Sequence, residues 1–198
     1  MIDTKLRGVF QPLFNGLARG LIKLKLSSNT ISLAAFGVGL GASLSIAMGH
    51  LVPALILLWL SGLLDVLDGS VARLTATASP LGAYLDLIFD RMVESAVILA
   101  CFFLLPQYAL AYLLFFVAVL FNFTTFIVAG ALFKNNSSKS MHYDIGIAER
   151  TETFIVFTLM LLFQPFAGLI LMIFNGLIFL TGGLRFLRII RSAADDFS

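Results

Sequence analysis

A chain of 198 residues that is 60% apolar and 12% charged, with 20 phenylalanines and a formal charge of +2, is far from a soluble domain, which is about half apolar and a quarter charged. The composition excludes an ordinary water-soluble fold and describes an integral membrane protein, for which no nucleic-acid partner is expected. The lone cysteine, Cys101, excludes an intramolecular disulfide.

The N-terminal stretch carries no pattern of a cleavable signal. Over residues 3–25, Leu6, Val9, Phe10, Leu13, Leu17, Leu21 and Leu24 recur at helical spacing, with Lys5, Arg7, Arg19 and Lys23 on other faces. The expectation is an amphipathic helix lying in the membrane interface, basic side toward anionic headgroups. Packing of the same helix on the bundle is compatible with this. Six apolar segments follow, at about 30–49, 52–74, 80–105, 107–132, 147–163 and 166–190, most of them able to cross a core of about 30 Å. Gly49-His50 with Pro53, Ser79-Pro80, Pro106, the polar run Lys134 to Asp144 and Gln164-Pro165 punctuate them. The fold expected is all-α: six transmembrane helices preceded by an interfacial helix, forming one domain over residues 1–198.

All 13 Lys and Arg residues fall in the N-terminal stretch, in 73–91, in 134–150 or at the C-terminal end, and none falls near 50, 106 or 164. With six crossings these basic regions share one side, which the positive-inside rule makes cytoplasmic. The expected location is the cell (inner) membrane, with both termini and the acidic stretch facing the cytoplasm.

Asp65 and Asp68 are i, i+3 and share a helix face. Gly69 and Ala72 keep that face free of bulk. On the next segment Gly82, Asp86 and Asp90 follow at steps of four, again a glycine and two carboxylates in one stripe. The turn at Ser79-Pro80 lets the two stripes face one another at the ends of an antiparallel pair. Carboxylates gathered in a partly desolvated site repel one another and take up protons unless a cation holds them. Oxygen-only donors select a hard divalent ion, Mg²⁺ or Mn²⁺, with Ca²⁺ also open. Such ions work on pyrophosphate substrates, and Arg73 is suited to phosphate oxygens.

The pattern Asp65-xx-Asp68-Gly69-xx-Ala72-Arg73, eight residues, Gly82-xxx-Asp86-xxx-Asp90 resembles at every position the motif of the CDP-alcohol phosphotransferase (CDP-alcohol phosphatidyltransferase) family. The resemblance implies a membrane enzyme of phospholipid biosynthesis that displaces CMP from a CDP-linked lipid, usually CDP-diacylglycerol, through attack by an acceptor alcohol. It implies divalent metal at Asp65, Asp68 and Asp86, with Asp90 contributing and acting as general base. It implies close approach of the nucleotide at Gly69 and Gly82, phosphate binding by Arg73, contact of Ser79 with the CDP portion, and a homodimer.

A looser match, Ser27-Ser28-Asn29-Thr30-Ile31-Ser32, resembles the family's Ser-Pro-Asn-x-x-Thr and implies nucleotide contacts at Asn29, Thr30, Ile31 and Ser32. Ser27, Ser28 or Asn29 could equally cap the first crossing. Gly146-Ile147-Ala148-Glu149-Arg150-Thr151-Glu152-Thr153 resembles a Gly-x-x-Glu-Arg-x-x-Arg pattern of members that make inositol-phosphate lipids. It implies Arg150 as an acceptor-binding residue, but Thr153 stands where a second arginine would be, which weighs against a phosphorylated acceptor. Inositol phosphate, glycerol phosphate, serine and a second lipid all remain open. Glu94 extends the acidic stripe and either shapes the acceptor site or makes a structural bond. Arg91 balances local charge. Two rivals remain, an aspartate-rich prenyltransferase and a divalent-cation carrier.

Overall fold

Apolar runs that meet lipid must satisfy their backbone groups internally, and helices do so within a single segment. The computed structural model describes residues 2–132 and 150–195, with side chains over 10–132 and 151–191. In order the helices are α1 (Ile2–Lys23), α2 (Ser28–Ala47), α3 (Leu51–Leu74), α4 (Pro80–Leu104), α5 (Ala109–Leu132), α6 (Arg150–Leu162) and α7 (Ala167–Asp195). Single 3₁₀ turns at Pro106–Tyr108 and Gln164–Phe166 precede α5 and α7.

The helix ends have local causes. Ser27 Oγ accepts the Thr30 backbone N–H at 3.2 Å and caps α2, while Ser79 Oγ accepts the Gly82 N–H at 3.1 Å and caps α4. Pro80, the first residue of α4, lacks the N–H that would have no partner there. Helix α1 closes with Lys25 at φ 57°, and α3 with Ala76 at φ 52°. After each, a backbone N–H reaches back to satisfy the last turn: Leu26 to the Leu21 carbonyl at 3.3 Å, and Thr77 to the Ala72 carbonyl at 3.0 Å. A left-handed residue with a side chain costs about 1–2 kcal/mol, and here two such residues begin the reversals beside the acidic stripes. Gly49, at φ 76°, turns the chain between α2 and α3.

The chain divides into two compact units, Ile2–Gln107 and Tyr108–Ser198 apart from Met1. In the first, α2 packs against both α3 and α4, and α1 packs on α3. Ala18, Ile31 and Val71 form a small core there, with Leu21, Ile22 and Leu64 around it. Gly39 is the tight point: a Cβ there would lie 2.7 Å from Val93 Cγ2 and 3.0 Å from Ser61 Oγ. Ser61 Oγ donates to the Ala35 carbonyl at 2.7 Å, and Phe36 stacks on Phe89 with centroids 4.6 Å apart. The acidic stripes of α3 and α4 face one another as expected, through Asp65, Asp68 and Asp86. The glycine and the stacked rings draw α2 against both helices.

In the second unit α7 packs on α5 and α6. Asn175 Nδ2 donates to the Ala111 carbonyl at 2.9 Å, and Tyr108 OH to the Pro165 carbonyl at 2.8 Å. Arg185, expected simply as one of the basic residues at the C-terminal end, instead turns inward and is 7% exposed. Its Nη1 donates to both the backbone and side-chain oxygens of Asn122, each at 2.9 Å, and its guanidinium lies over the Phe126 ring.

Among the described residues, four helical stretches are long and apolar enough to cross a membrane: Ser28–Ala47, Leu51–Leu74, Pro106–Leu132 and Gln164–Arg191. Many large apolar side chains on them face outward, including Leu44, Ile56, Leu120 and Leu169, which a lipid environment accommodates. Helix α4 differs because Asp86, Asp90, Arg91 and Glu94 interrupt it. The described part of α6 has 13 residues, about 20 Å at 1.5 Å per residue.

Candidate metal and nucleotide site

The first unit carries the acidic stripes. One oxygen from each of Asp65, Asp68 and Asp86 lies within 4.8 Å of the others. Asp68 is 7% exposed; Asp65 and Asp86 are half-buried. At that separation two full charges repel by about 3 kcal/mol at an effective dielectric constant near 20, and three such pairs call for a cation. An octahedral Mg²⁺ shell at about 2.1 Å puts oxygens roughly 3–4.2 Å apart, and the larger Ca²⁺ shell extends this to about 5 Å. The all-oxygen donor set and its spacing fit a hard divalent ion after at most small adjustment. Asp90, one turn beyond Asp86 on α4, lies outside this group of three.

Beside the carboxylates is a cavity of about 190 Å³ lined by Ser28, Asn29, Ser32, Asp68, Gly69, Ala72, Arg73, Thr77, Ala78, Ser79, Gly82, Ala83 and Asp86. It draws on the N-terminus of α2, the end of α3, the reversal at 75–79 and the first turns of α4. An adjoining cavity of about 340 Å³ shares Ser28, Asn29 and Thr77 with it and continues to Ile22, Lys25 and Val71. Gly82 faces Asn29 across the first cavity, where a Cβ would come within 3.5 Å of Asn29 Oδ1. Arg73 folds back over Gly69, and its Nη2 donates to Ser70 Oγ at 3.0 Å. The guanidinium is thus held at the rim and remains exposed.

Several residues named from sequence are gathered here: Asp65, Asp68 and Asp86 in the acidic group, and Asn29, Ser32, Gly69, Arg73, Ser79 and Gly82 around the cavity. Thr30 and Ile31 do not line the cavity. Thr30 Oγ1 bonds Ser27 Oγ at 2.8 Å, and Ile31 is 2% exposed in the core with Ala18 and Val71. One helical turn cannot point four consecutive side chains the same way. Ser27 is the residue that caps α2. Arg91 Nη2 pairs with Glu94 Oε1 at 2.6 Å, with Glu94 3% exposed, so a structural bond, one of the two readings of Glu94, is present. Arg150 begins α6, but its side chain, like residues 133–149, is outside the described residues.

Ser32 lines the cavity and also reaches a neighbouring helix. Its hydroxyl lies 2.5 Å from Asp68 Oδ2, a link between α2 and α3 that no spacing within either motif announces.

A hydroxyl-lined cavity beside clustered carboxylates, on apolar helices, is a site whose chemistry suits a phosphorylated ligand and a divalent ion. The CDP-alcohol phosphatidyltransferase family model matches residues 25–181, and the chain belongs to that family. It is a transferase of phospholipid biosynthesis, and the family assignment displaces the prenyltransferase reading. The chain is 32% identical over 191 residues to the inner membrane protein YnjF of Escherichia coli K12, covering 91% of each. It is 29% identical over 151 residues to a phosphatidylinositol phosphate synthase of Mycobacterium marinum, covering 76% of this chain and 64% of that protein. The fold resembles the crystal structure of the Mycobacterium tuberculosis phosphatidylinositol phosphate synthase with CDP-DAG bound, with TM-score 0.74 and 20% identity over 88% of this chain and 92% of that one. The same enzyme in complex with manganese and citrate gives TM-score 0.74 and 22% identity over 87% of each chain.

Proposed function

We propose that this protein transfers the phosphatidyl group of a CDP-linked lipid, CDP-diacylglycerol, to the hydroxyl of a polyol phosphate such as inositol phosphate, releasing CMP. The observation that carries the reading is the convergence of Asp65, Asp68 and Asp86 to within 4.8 Å at the wall of a cavity ringed by Asn29, Arg73, Ser79 and Gly82.

In this reading Asp65, Asp68 and Asp86 hold Mg²⁺ or Mn²⁺, which when bound supplies positive charge to the pyrophosphate oxygens and the departing CMP. Gly69 and Gly82 leave room for the nucleotide against the backbone, and Asn29 and Ser79 offer polar atoms to the cytidine portion. Arg73, steadied by Ser70, pairs with phosphate oxygens. Asp90 takes the proton from the acceptor hydroxyl; its place outside the group of three suits a base better than a fourth ligand. Arg150 meets the acceptor's phosphate. The acyl chains stay in the bilayer while the head group occupies the cavity.

The surrounding architecture belongs to the same proposal. The six helices α2–α7 all cross the membrane, and both units serve one catalytic domain, which the span of the family match across them supports. Helix α1 lies in the interface: Phe10, Leu13 and Leu17 are exposed on one side, Ala18 is buried against α3, and Arg19 and Lys23 occupy a third face. The cavity opens to the cytoplasm, and the enzyme works as a homodimer. A phosphorylated acceptor draws support from the relatives named phosphatidylinositol phosphate synthase, while the threonine at 153 leaves inositol phosphate to be tested beside glycerol phosphate and serine. The test is CMP release from CDP-diacylglycerol by purified protein with Mn²⁺ or Mg²⁺ and each acceptor in turn. Metal-dependent release with a polyol phosphate supports the proposal; release with serine alone reassigns the acceptor; no release with any acceptor overturns it.

A further inference from the structure

We propose that Ser32 is a positioning residue that holds Asp68 as a one-oxygen donor, and that this hold sets the site's preference for a small octahedral ion over Ca²⁺. The inference rests on Asp65, Asp68 and Asp86 being the metal ligands.

Ser32 has one hydroxyl proton and two acceptors in reach, Asp68 Oδ2 at 2.5 Å and the Ser28 carbonyl at 3.1 Å. The carbonyl lies in the first turn of α2, where the ordinary partner is the Ser32 N–H itself. The carboxylate is the stronger acceptor: hydrogen bonds to an ionised oxygen are shorter and about twice as strong as neutral ones. The proton therefore goes to Asp68. Both residues are nearly enclosed, Ser32 at 8% and Asp68 at 7% exposure, so water competes little for either. The hydroxyl's proton, so engaged, is not offered to a nucleotide, and the role that follows is exercised through the aspartate.

The hold is stiff because α2 is stiffly placed. Ser61 ties α3 to the Ala35 carbonyl of α2 at 2.7 Å, and Gly39 seats α2 against Val93. A carboxylate gripped at Oδ2 from a fixed helix resists the rotation that would present both oxygens to one ion. Ca²⁺ gains most from two-oxygen donation and takes 6–8 oxygens at 2.3–2.6 Å, whereas Mg²⁺ demands six at 2.0–2.1 Å. Restricting Asp68 to one oxygen favours the smaller ion.

Mn²⁺ binding without substrate, read from the electron paramagnetic resonance of the free ion, tests this on the wild type, Ser32→Ala, Ser32→Thr and Asp86→Asn. Loss of a partner to a ligand typically weakens metal affinity 10–100-fold. The expected result is about tenfold weaker Mn²⁺ binding in Ser32→Ala, with Ca²⁺ becoming a relatively better competitor. Ser32→Thr, which keeps the hydroxyl, restores affinity to within about threefold of wild type. Unchanged affinity and unchanged Ca²⁺ competition in Ser32→Ala overturn the inference while leaving the aspartate site standing. Weaker binding that threonine does not rescue, with lower thermal stability in both variants, assigns Ser32 to packing and also overturns it. Wild-type protein that binds no Mn²⁺, or Asp86→Asn that binds it normally, removes the aspartate site and the inference together.

Discussion

Asp68 of α3 and Asp86 of α4 bring carboxylate oxygens within 4.8 Å of each other, although α2 is the helix that packs against both of their parents. The acids meet at the helix ends, beside the reversal that runs through Ala76 to Ser79. Carboxylates held this close repel one another, so the arrangement depends on what neutralises it.

Removing the divalent ion with a chelator is therefore expected to abolish CMP release, and Mn²⁺ or Mg²⁺ to restore it. Asp65→Asn, Asp68→Asn and Asp86→Asn each lower the rate by at least about 100-fold, a loss on the order of 3 kcal/mol of transition-state stabilisation. Initial rates against metal concentration provide the check.

Asp90→Asn separates the proposed base from the ligands. General-base assistance is worth about 10²–10⁴ in rate, so turnover falls by that range while Mn²⁺ affinity remains within a few-fold of wild type. Metal affinity that falls as far as turnover would make Asp90 a ligand first.

Gly39→Ala puts a Cβ 2.7 Å from a methyl of Val93, and a β-branched valine has few rotamers through which to retreat. Overpacking of this kind costs about 1–3 kcal/mol. The variant should melt at lower temperature in detergent, and Val93→Ala added to it should recover most of the loss. A double variant no more stable than the single one would place the strain elsewhere.

Asn122→Ala removes a side-chain acceptor from buried Arg185. A hydrogen bond to a charged group is worth about 1.5–3 kcal/mol, and the retained backbone acceptor at Asn122 limits the loss to the lower end. Thermal unfolding of Asn122→Ala beside Asn122→Asp, which restores an acceptor, measures the contribution.

The two ends of the bundle can be told apart by labelling. In a Cys101→Ser background, a cysteine at His50 should react with a membrane-impermeant maleimide in intact cells. One at Thr75 should react only after permeabilisation. The reverse pattern would put the cavity on the outer face.

Most helix limits were readable from punctuation. Pro80, Pro106 and Gln164-Pro165 sit within a residue or two of the boundaries they suggested, because proline and capping serines act through local backbone chemistry. The carboxylate stripes were readable for the same reason, since i, i+3 and i, i+4 spacing determines which side chains share a helix face. What the sequence did not show is which helices touch. Gly39 could not be recognised as the seat of Val93, nor Arg185 as turned inward onto Asn122. Ser32 belonged to a motif that resembles a nucleotide contact, yet its bond to Asp68 spans two helices. Thr30 and Ile31 were carried along by neighbouring motif positions, although helical geometry sends them elsewhere.

Anomalous diffraction at the manganese edge from crystals grown with Mn²⁺ locates the ion itself. The expected peak is bonded to one oxygen from each of Asp65, Asp68 and Asp86, facing the cavity lined by Gly69 and Gly82. A fully occupied crystal with its manganese elsewhere, and those three side chains unligated, would contradict a metal-centred transferase site.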